Sequence, residues 1–229
     1  IHIGKCAGES ILEAISLNFS SNEVDLYEFH IFDANERIKT LLSQSQDKHQ
    51  LHWIICPRDP LQRWISAFNW DNHTFHQSKH YVCHPRATKF HQHYPSAKSL
   101  AAGLNQNSSE AIAYAKFHHL AYGHIAMGAD WYLPDQTRQY LKPTQSSIIR
   151  TEEIQNDYDL AVQSILNQFQ ALRKRQPCSV PMTKQSYQDR YPKRTFHQLS
   201  DLTLQEQNAI SRSIQKDIIS HGDLIQRIL

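Results

Sequence analysis

The chain has 229 residues, of which 40% are hydrophobic and 20% charged, and this apolar content can bury the core of a globular protein. The net charge is +2 with histidines counted as neutral, which excludes the bulk basicity of a general nucleic-acid-binding protein, and we expect no nucleic-acid partner. Four cysteines show no paired spacing, and no stretch approaches the roughly 18 apolar residues of a membrane span, so we expect neither a disulfide framework nor an integral membrane segment.

The first part of the chain alternates short apolar runs with helical patterns. The predicted strands, rich in apolar and β-branched residues, are 1–3, 24–31, 51–56 and 147–150. Helical periodicity follows at 10–19, 33–44 and 58–70, where Asp59 and Pro60 suit the N-cap and N1 positions. Strands that alternate with helices predict an α/β fold with a parallel sheet flanked by helices.

Two later stretches lack regular periodicity. Residues 71–99 are polar and rich in histidine, and residues 176–200 contain three prolines. No internal repeat or linker divides the chain, which predicts one domain over 1–229 with the histidine-rich stretch as an irregular insert. Helical periodicity returns over 108–123, 155–174 and 202–229.

The opening segment, IHIGKCAGES, joins a predicted strand to a predicted helix through a turn of small residues. Such a turn presents backbone N–H groups and the positive end of the helix dipole to an anion. Lys5 adds a cation and Ser10 adds a hydroxyl. A Walker motif has its lysine after the second glycine, whereas Lys5 precedes Gly8, and this order argues against an ordinary ATPase or kinase.

A second segment, IICPRDPLQRWISAFNW, repeats this arrangement of strand and helix. Arg58 lies at the junction, where a guanidinium can bind a phosphate through two hydrogen bonds. Ser66 lies about two turns into the helix and adds a further donor. Two junctions that are both equipped for anions predict a ligand with two separated phosphates.

These segments resemble the nucleotide-binding motifs of sulfotransferases that use 3′-phosphoadenosine 5′-phosphosulfate (PAPS). HIGKCAGES resembles the 5′-phosphosulfate loop of the carbohydrate O-sulfotransferase branch, and RDPLQRWIS resembles the 3′-phosphate motif. IIRTEEIQNDYDLAV resembles a later strand and helix of the family, so the likeness extends from Ile1 to about Val162. The resemblance implies a P-loop-like fold, sulfuryl transfer from PAPS to a hydroxyl of a carbohydrate or related acceptor, release of 3′-phosphoadenosine 5′-phosphate (PAP), and no metal.

The resemblance also implies roles for individual residues. Lys5 would contact the 5′-phosphate and stabilise the leaving oxygen. Glu9 stands where threonine is usual and Ala7 where glycine is frequent; because the Glu9 carboxylate would repel the donor, we expect only its backbone to take part. The implied donor-binding residues are Lys5, Cys6, Ala7, Gly8, Glu9, Ser10, Arg58 and Ser66. Lys193, Arg194, Thr195 and Phe196 are further candidates, in a segment where family members often close a loop over the adenine and the 3′-phosphate; the alternative is a basic surface loop.

An alcohol acceptor needs a general base opposite the leaving nucleotide. The resemblance implies a histidine shortly after the second strand, which is His30 in this chain, and Glu28 is the alternative base or an orienting partner. Trp131 and Tyr132 are candidates for stacking on a sugar ring, although aromatic residues at a helix boundary also serve as core.

Other interpretations stay open at this stage. His73, His76, His80, Cys83 and His84 have a spacing that would suit zinc, although no paired-ligand framework is present; the alternative is that this stretch covers the acceptor cleft. A protein that binds the nucleotide or a glycan without transfer, and an atypical P-loop kinase, are rival functions. The unpaired cysteines favour a bacterial cytoplasm, with the Golgi lumen as the alternative if an N-terminal anchor was trimmed.

Overall fold

The computed structural model describes residues 6–29, 36–38, 40–41, 51–77, 85–116, 124–172, 175–181 and 196–229. The chain forms two compact units, each assembled from separate parts of the sequence. The first unit comprises Ile1–Arg58, Tyr132–Lys184 and Ser220–Leu229, and the second comprises Asp59–Trp131 and Gln185–Ile219. The single domain over 1–229 stays a prediction.

The described residues are mostly helical, with a small parallel sheet, and the mixed α/β class is confirmed. The strands are β1 (Trp53–Ile55) and β2 (Ser146–Ile148). Among the described residues, no helix combines the length and the apolar content needed to cross a membrane. The helices are α1 (Gly8–Asn18), α2 (Pro60–Gln77), α3 (Pro85–His93), α4 (Ala97–Asn105), α5 (Ser109–Lys116), α6 (Ala129–Tyr132), α7 (Asp135–Arg138), α8 (Ile154–Gln168), α9 (Leu204–Ser213) and α10 (Gln215–Ile228).

The two strands confirm the predictions at 51–56 and 147–150. They pair in parallel, with Trp53 opposite Ser146 and Ile55 opposite Ile148. The ladder continues past β2, because the backbone N–H of Ile149 donates to the carbonyl of Ile55 at 2.9 Å. A parallel pair requires a long connection between its strands, and here that connection carries the helices α2 to α7.

The predicted strand at 24–31 is wrong over its described residues. Residues 24–29 form no strand, and 30–31 lie outside the described residues. The Leu26 and Tyr27 side chains are 43% and 56% exposed, so this run buries little apolar surface. β-branched and aromatic content favours a strand only where a neighbouring strand pairs with it, and in the described chain the ladder joins β1 to β2 alone.

The first unit has its core between α1, the sheet and α8. Ile11, Ala14 and Ile15 recur at helical spacing on one face of α1 and are buried, as the predicted helix at 10–19 requires. Tyr158 of α8 is buried as well, and its hydroxyl donates to the carbonyl of Ala14 at 2.8 Å. This hydrogen bond and the buried face of α1 join the two helices within the core of the first unit.

The second unit begins with α2, whose predicted start is confirmed. The Asp59 carboxylate accepts a hydrogen bond from the backbone N–H of Gln62 at 2.9 Å, and Pro60 is the first helical residue. The core of this unit is built from Trp64 and Phe68 of α2 together with apolar residues of α3, α4, α5 and α9.

The prediction of an irregular stretch over 71–99 is wrong for the described residues, because α2 continues to Gln77 and is followed by α3 and α4. Three polar side chains of this stretch, Asp71, His73 and His91, are buried, whereas Lys89, Gln92, His93 and Lys98 are exposed. The Asp71 carboxylate, for example, lies 2.6 Å from Nδ1 of His124. Ser96 and Ser99 form a capping box at the start of α4, a local signal that the sequence does carry.

Candidate functional site

The turn before α1 has an unusual backbone geometry. Cys6 is buried, and Ala7 occupies the N-cap position with φ 55° and ψ 20°, in the left-handed region. The methyl group of Ala7 cannot accept a hydrogen bond, and no side-chain cap is formed at this position. A left-handed residue followed by a helix turns successive backbone N–H groups toward one point, where they and the helix dipole favour an anion.

The side chains of this turn separate into two environments. Gly8 and Ser10 are buried in the first turn of α1, and Glu9 between them is exposed. This arrangement leaves the backbone of Glu9 in the turn while its carboxylate faces solvent. Lys5, the predicted partner of the 5′-phosphate, lies outside the described residues.

The second predicted phosphate segment follows the carboxyl end of β1. Arg58 is half-buried three residues past the end of the strand. The preceding carbonyl, of Pro57, accepts hydrogen bonds from the backbone N–H and the hydroxyl of Thr151, both at 3.2 Å. The chain that follows β2 therefore fixes the backbone next to Arg58.

Arg150 and Asp157 form an ion pair that the motif analysis missed. The guanidinium of Arg150 donates to both carboxylate oxygens of Asp157 at 2.7 Å, and the backbone N–H of Arg150 adds a third bond at 2.8 Å. The Asp157 carboxylate raises the pKa of Arg150 further. Asp157 is buried in the first turn of α8. The two partners are the first and last residues of the segment RTEEIQND, so an arginine followed by an acidic helix start was the sequence feature that could have indicated the pair. This pair anchors the end of β2 to the first turns of α8.

A cavity of about 670 Å³ lies within the first unit. Gly8 from the start of α1 and Cys56 from the carboxyl end of β1 both line it. Glu28, the alternative general base, lines the same cavity and has an exposed side chain. Gly8 and Glu28 therefore line the same cavity as Cys56, which lies two residues before Arg58.

Two further residues of this cavity have perturbed proton affinities. Burial raises the pKa of the Cys56 thiol to about 11, so Cys56 is a neutral thiol rather than a nucleophilic thiolate at neutral pH. Burial also lowers the pKa of His52. Its Nδ1 lies 2.6 Å from the Gln168 amide oxygen and its Nε2 lies 2.9 Å from the Ser147 hydroxyl. His52 is therefore a neutral ring with both nitrogens hydrogen-bonded.

Several predicted residues lie elsewhere. Ser66 on α2, Trp131 and Phe196 belong to the second unit, and each is half-buried. Tyr132 belongs to the first unit and is only 1% exposed, so its ring serves as core and offers no face for a sugar. The predicted residues outside the described part of the chain are Lys5, His30, Lys193, Arg194 and Thr195.

The zinc alternative has no support among the described residues, where no group of three or more His, Cys, Asp or Glu side chains could hold a metal ion. His73 is buried on α2, and its ring is tilted by 53° to that of the neighbouring Trp70, with the ring centroids 6.1 Å apart. The side chain of His76 and the whole of His80, Cys83 and His84 lie outside the described residues.

Comparisons with protein-family models, curated proteins and solved structures find no significant match to this chain. A functional assignment therefore depends on the two phosphate motifs and on the geometry around them.

Proposed function

We propose that this chain is a PAPS-dependent sulfotransferase that transfers a sulfuryl group to a hydroxyl acceptor. The observation that carries the proposal is that Gly8, Cys56 and Glu28 line one cavity. Gly8 belongs to the turn that resembles the 5′-phosphosulfate loop, and Cys56 leads into the segment that resembles the 3′-phosphate motif. A turn that favours an anion at this cavity, with Arg58 two residues beyond Cys56, suits a donor with two separated phosphates.

The geometry of the turn supports a contact with the donor through the backbone. Ala7 in the left-handed region and the start of α1 direct N–H groups toward an anion, and the exposed Glu9 side chain need not approach it. A parallel β1–β2 pair, in which a helix follows each strand, agrees with a P-loop-like fold, which we include in the proposal.

The proposed reaction is an in-line displacement. The acceptor oxygen forms a bond to sulfur while the bond between sulfur and the 5′-phosphate oxygen breaks, and PAP leaves. His30 or Glu28 takes the acceptor proton, and Lys5 stabilises the charge that develops on the leaving oxygen. The acceptor implied by the motifs is a carbohydrate or a related hydroxyl compound.

Thermal stabilisation of the purified chain by PAP, compared with ATP and magnesium, tests the donor site. At about 100 times its dissociation constant, PAP should add about 2.7 kcal/mol to the unfolding free energy. Lys5→Ala and Arg58→Ala should each reduce this gain. Lys142→Ala and Arg227→Ala, which remove exposed cations outside both motifs, are the matched controls and should retain it.

Turnover separates the enzyme from a protein that only binds nucleotide. PAP release from PAPS should depend on an added alcohol and should fall in His30→Ala or Glu28→Gln, whichever residue is the base, while PAP binding is kept. Stabilisation by ATP and magnesium but not by PAP would overturn the proposal in favour of a kinase, and PAP binding without turnover would leave a nucleotide-binding protein.

A further inference from the structure

The cavity of the first unit has mostly apolar walls. One face of α1 contributes Ile11, Leu12 and Ile15, Phe19 follows directly after this helix, and β1 contributes Trp53. Phe169 lies just past the end of α8 and also lines the cavity. Such walls suit a ligand whose surface is largely hydrocarbon, because each apolar group transferred from water to an apolar wall contributes favourably to binding.

The charged residues of the cavity are acidic. Glu23, Asp25 and Glu28 come from one segment of the chain, and among the described residues neither lysine nor arginine lines the cavity. Hydrogen bonding to Arg175 lowers the pKa of Glu23 to about 2, and the ion pair with Arg175 offsets the charge of this carboxylate, so Asp25 and Glu28 carry the excess negative charge. His52 adds no cation, because burial lowers its pKa. An acceptor that carries sulfate or carboxylate groups would be repelled here.

The cavity is long as well as apolar. It follows α1 from Gly8 to Phe19, which corresponds to about 16 Å at the helical rise of about 1.5 Å per residue. Its volume of about 670 Å³ lies within the range of sites for small organic ligands. Gly8 marks the end at which the donor would bind, and Glu28 supplies a carboxylate to the same cavity.

We infer that the acceptor is a neutral alcohol with an apolar body, an alkyl or aryl compound or a glycoside of one, rather than an anionic glycan. The hydroxyl would lie at the Gly8 end of the cavity, near the sulfuryl group, and the apolar body would follow the α1 face. This inference rests on the proposed sulfotransferase function and names its class of acceptor.

Hexyl β-D-glucoside and methyl β-D-glucoside are suitable probes, because they present the same sugar hydroxyls and differ only in the alkyl group. Glucose 6-sulfate serves as the anionic probe. With PAPS as donor, kcat/KM measured from PAP release should be at least tenfold higher for the hexyl than for the methyl glucoside. Glucose 6-sulfate should be no better than the methyl compound.

Three substitutions on α1 test whether the alkyl preference arises at this cavity. Leu12→Trp fills the cavity and should lower kcat/KM for the hexyl glucoside about fivefold or more, while the value for the methyl glucoside changes little. Leu17→Trp makes the same exchange on the same helix at a side chain that is 67% exposed and does not line this cavity, and it should leave both values unchanged. Leu12→Asn provides a second, smaller change and should act in the same direction.

The thermal shift with PAP is measured for every variant in the same series. A PAP shift with equal kcat/KM for the two glucosides, or a hexyl preference that Leu12→Trp and Leu12→Asn both leave intact, would overturn the acceptor class and leave the proposed function standing. Absence of a PAP shift in the unmodified chain would overturn the proposed function and the acceptor assignment with it. A PAP shift, a hexyl preference and its loss in the Leu12 variants support both.

Discussion

Replacing Arg63 with methionine should destabilise the second unit strongly, because this side chain is a cation that is only 2% exposed. Its guanidinium lies 3.2 Å from a carboxylate oxygen of Asp217. It also donates to the carbonyls of His124 and Ile125 at 2.9 Å and of Met127 at 3.1 Å. Arg63 thus fastens the segment before α6 to the first turns of α2, the helix that carries Ser66.

Methionine would fill most of the volume but would leave Asp217 without its cation and the three carbonyls without this donor. Loss of one partner of a buried ion pair costs about 3–5 kcal/mol. The backbone N–H of Ala129 continues to donate to Asp217, which places the expected loss at the lower end, about 3 kcal/mol. Gly128 also packs against the Asp217 carboxylate, because a Cβ atom at this position would overlap it.

Urea unfolding followed by tryptophan fluorescence measures this loss, because Trp64 and Trp70 both lie on α2. Arg212→Met removes an exposed arginine from α9 and should change the unfolding free energy by less than about 0.5 kcal/mol. Adding Asp217→Asn to the Arg63→Met variant should recover part of the loss, because the unpaired charge is removed. A loss below about 1 kcal/mol for Arg63→Met would refute the reasoning that this buried pair holds the segment in place.

Three smaller changes test the first unit by the same urea assay. Ala7→Gly should raise the unfolding free energy by about 0.5 kcal/mol, because relief of the left-handed strain at φ 55° exceeds the entropy that glycine adds to the unfolded chain; a loss of stability would contradict this backbone geometry. Tyr158→Phe should cost about 1 kcal/mol by removing the buried hydrogen bond to the Ala14 carbonyl, and an unchanged value would show that this bond contributes nothing. Burial lowers the pKa of His52 from 6.5 in the folded chain. Below pH 6.5 the unfolded chain therefore binds a proton at His52 more readily than the folded chain does, and the free energy of unfolding should fall as the pH drops. His52→Gln should weaken that dependence between about pH 6.5 and 5, and an unchanged slope would exclude His52 as its source.

The parts of the fold that were predicted correctly are those whose signals are local. The start of α2 follows from Asp59 and Pro60, and α1 follows from apolar spacing between 10 and 19. The strands β1 and β2 follow from short apolar runs bounded by polar residues. In each case the residues that predict the element lie within one turn of the helix or within a few residues of the strand.

The two errors have causes outside the local sequence. Residues 24–29 have the composition of a strand, but a strand also needs a pairing partner, which composition does not supply. The histidine-rich stretch is polar and lacks regular periodicity, which predicted an irregular insert. Its Asp71 is paired with His124, 53 residues away in the chain, and long-range pairs of this kind make a polar segment compatible with burial.

The candidate site shows the same division between local and distant information. The motifs predicted Gly8 and Arg58 as donor-binding residues from residue types and spacing alone. In the family that the segment resembles, glycine is frequent at the position of Ala7, and the left-handed conformation of Ala7 explains this preference. Spacing alone did not indicate the apolar wall along α1, because residues that pack a core and residues that line a cavity share one helical pattern.

The acidic and apolar character of the cavity also bears on how donor and acceptor would be kept apart. An anionic donor is favoured where backbone N–H groups converge at the turn before Gly8, and it is disfavoured along the wall that carries Asp25 and Glu28. A neutral apolar alcohol has the opposite preference, because the wall buries its hydrocarbon and the turn offers it no charge to neutralise. One cavity could therefore order two ligands end to end, with the sulfuryl group and the acceptor hydroxyl meeting near Gly8, without a separate compartment for each.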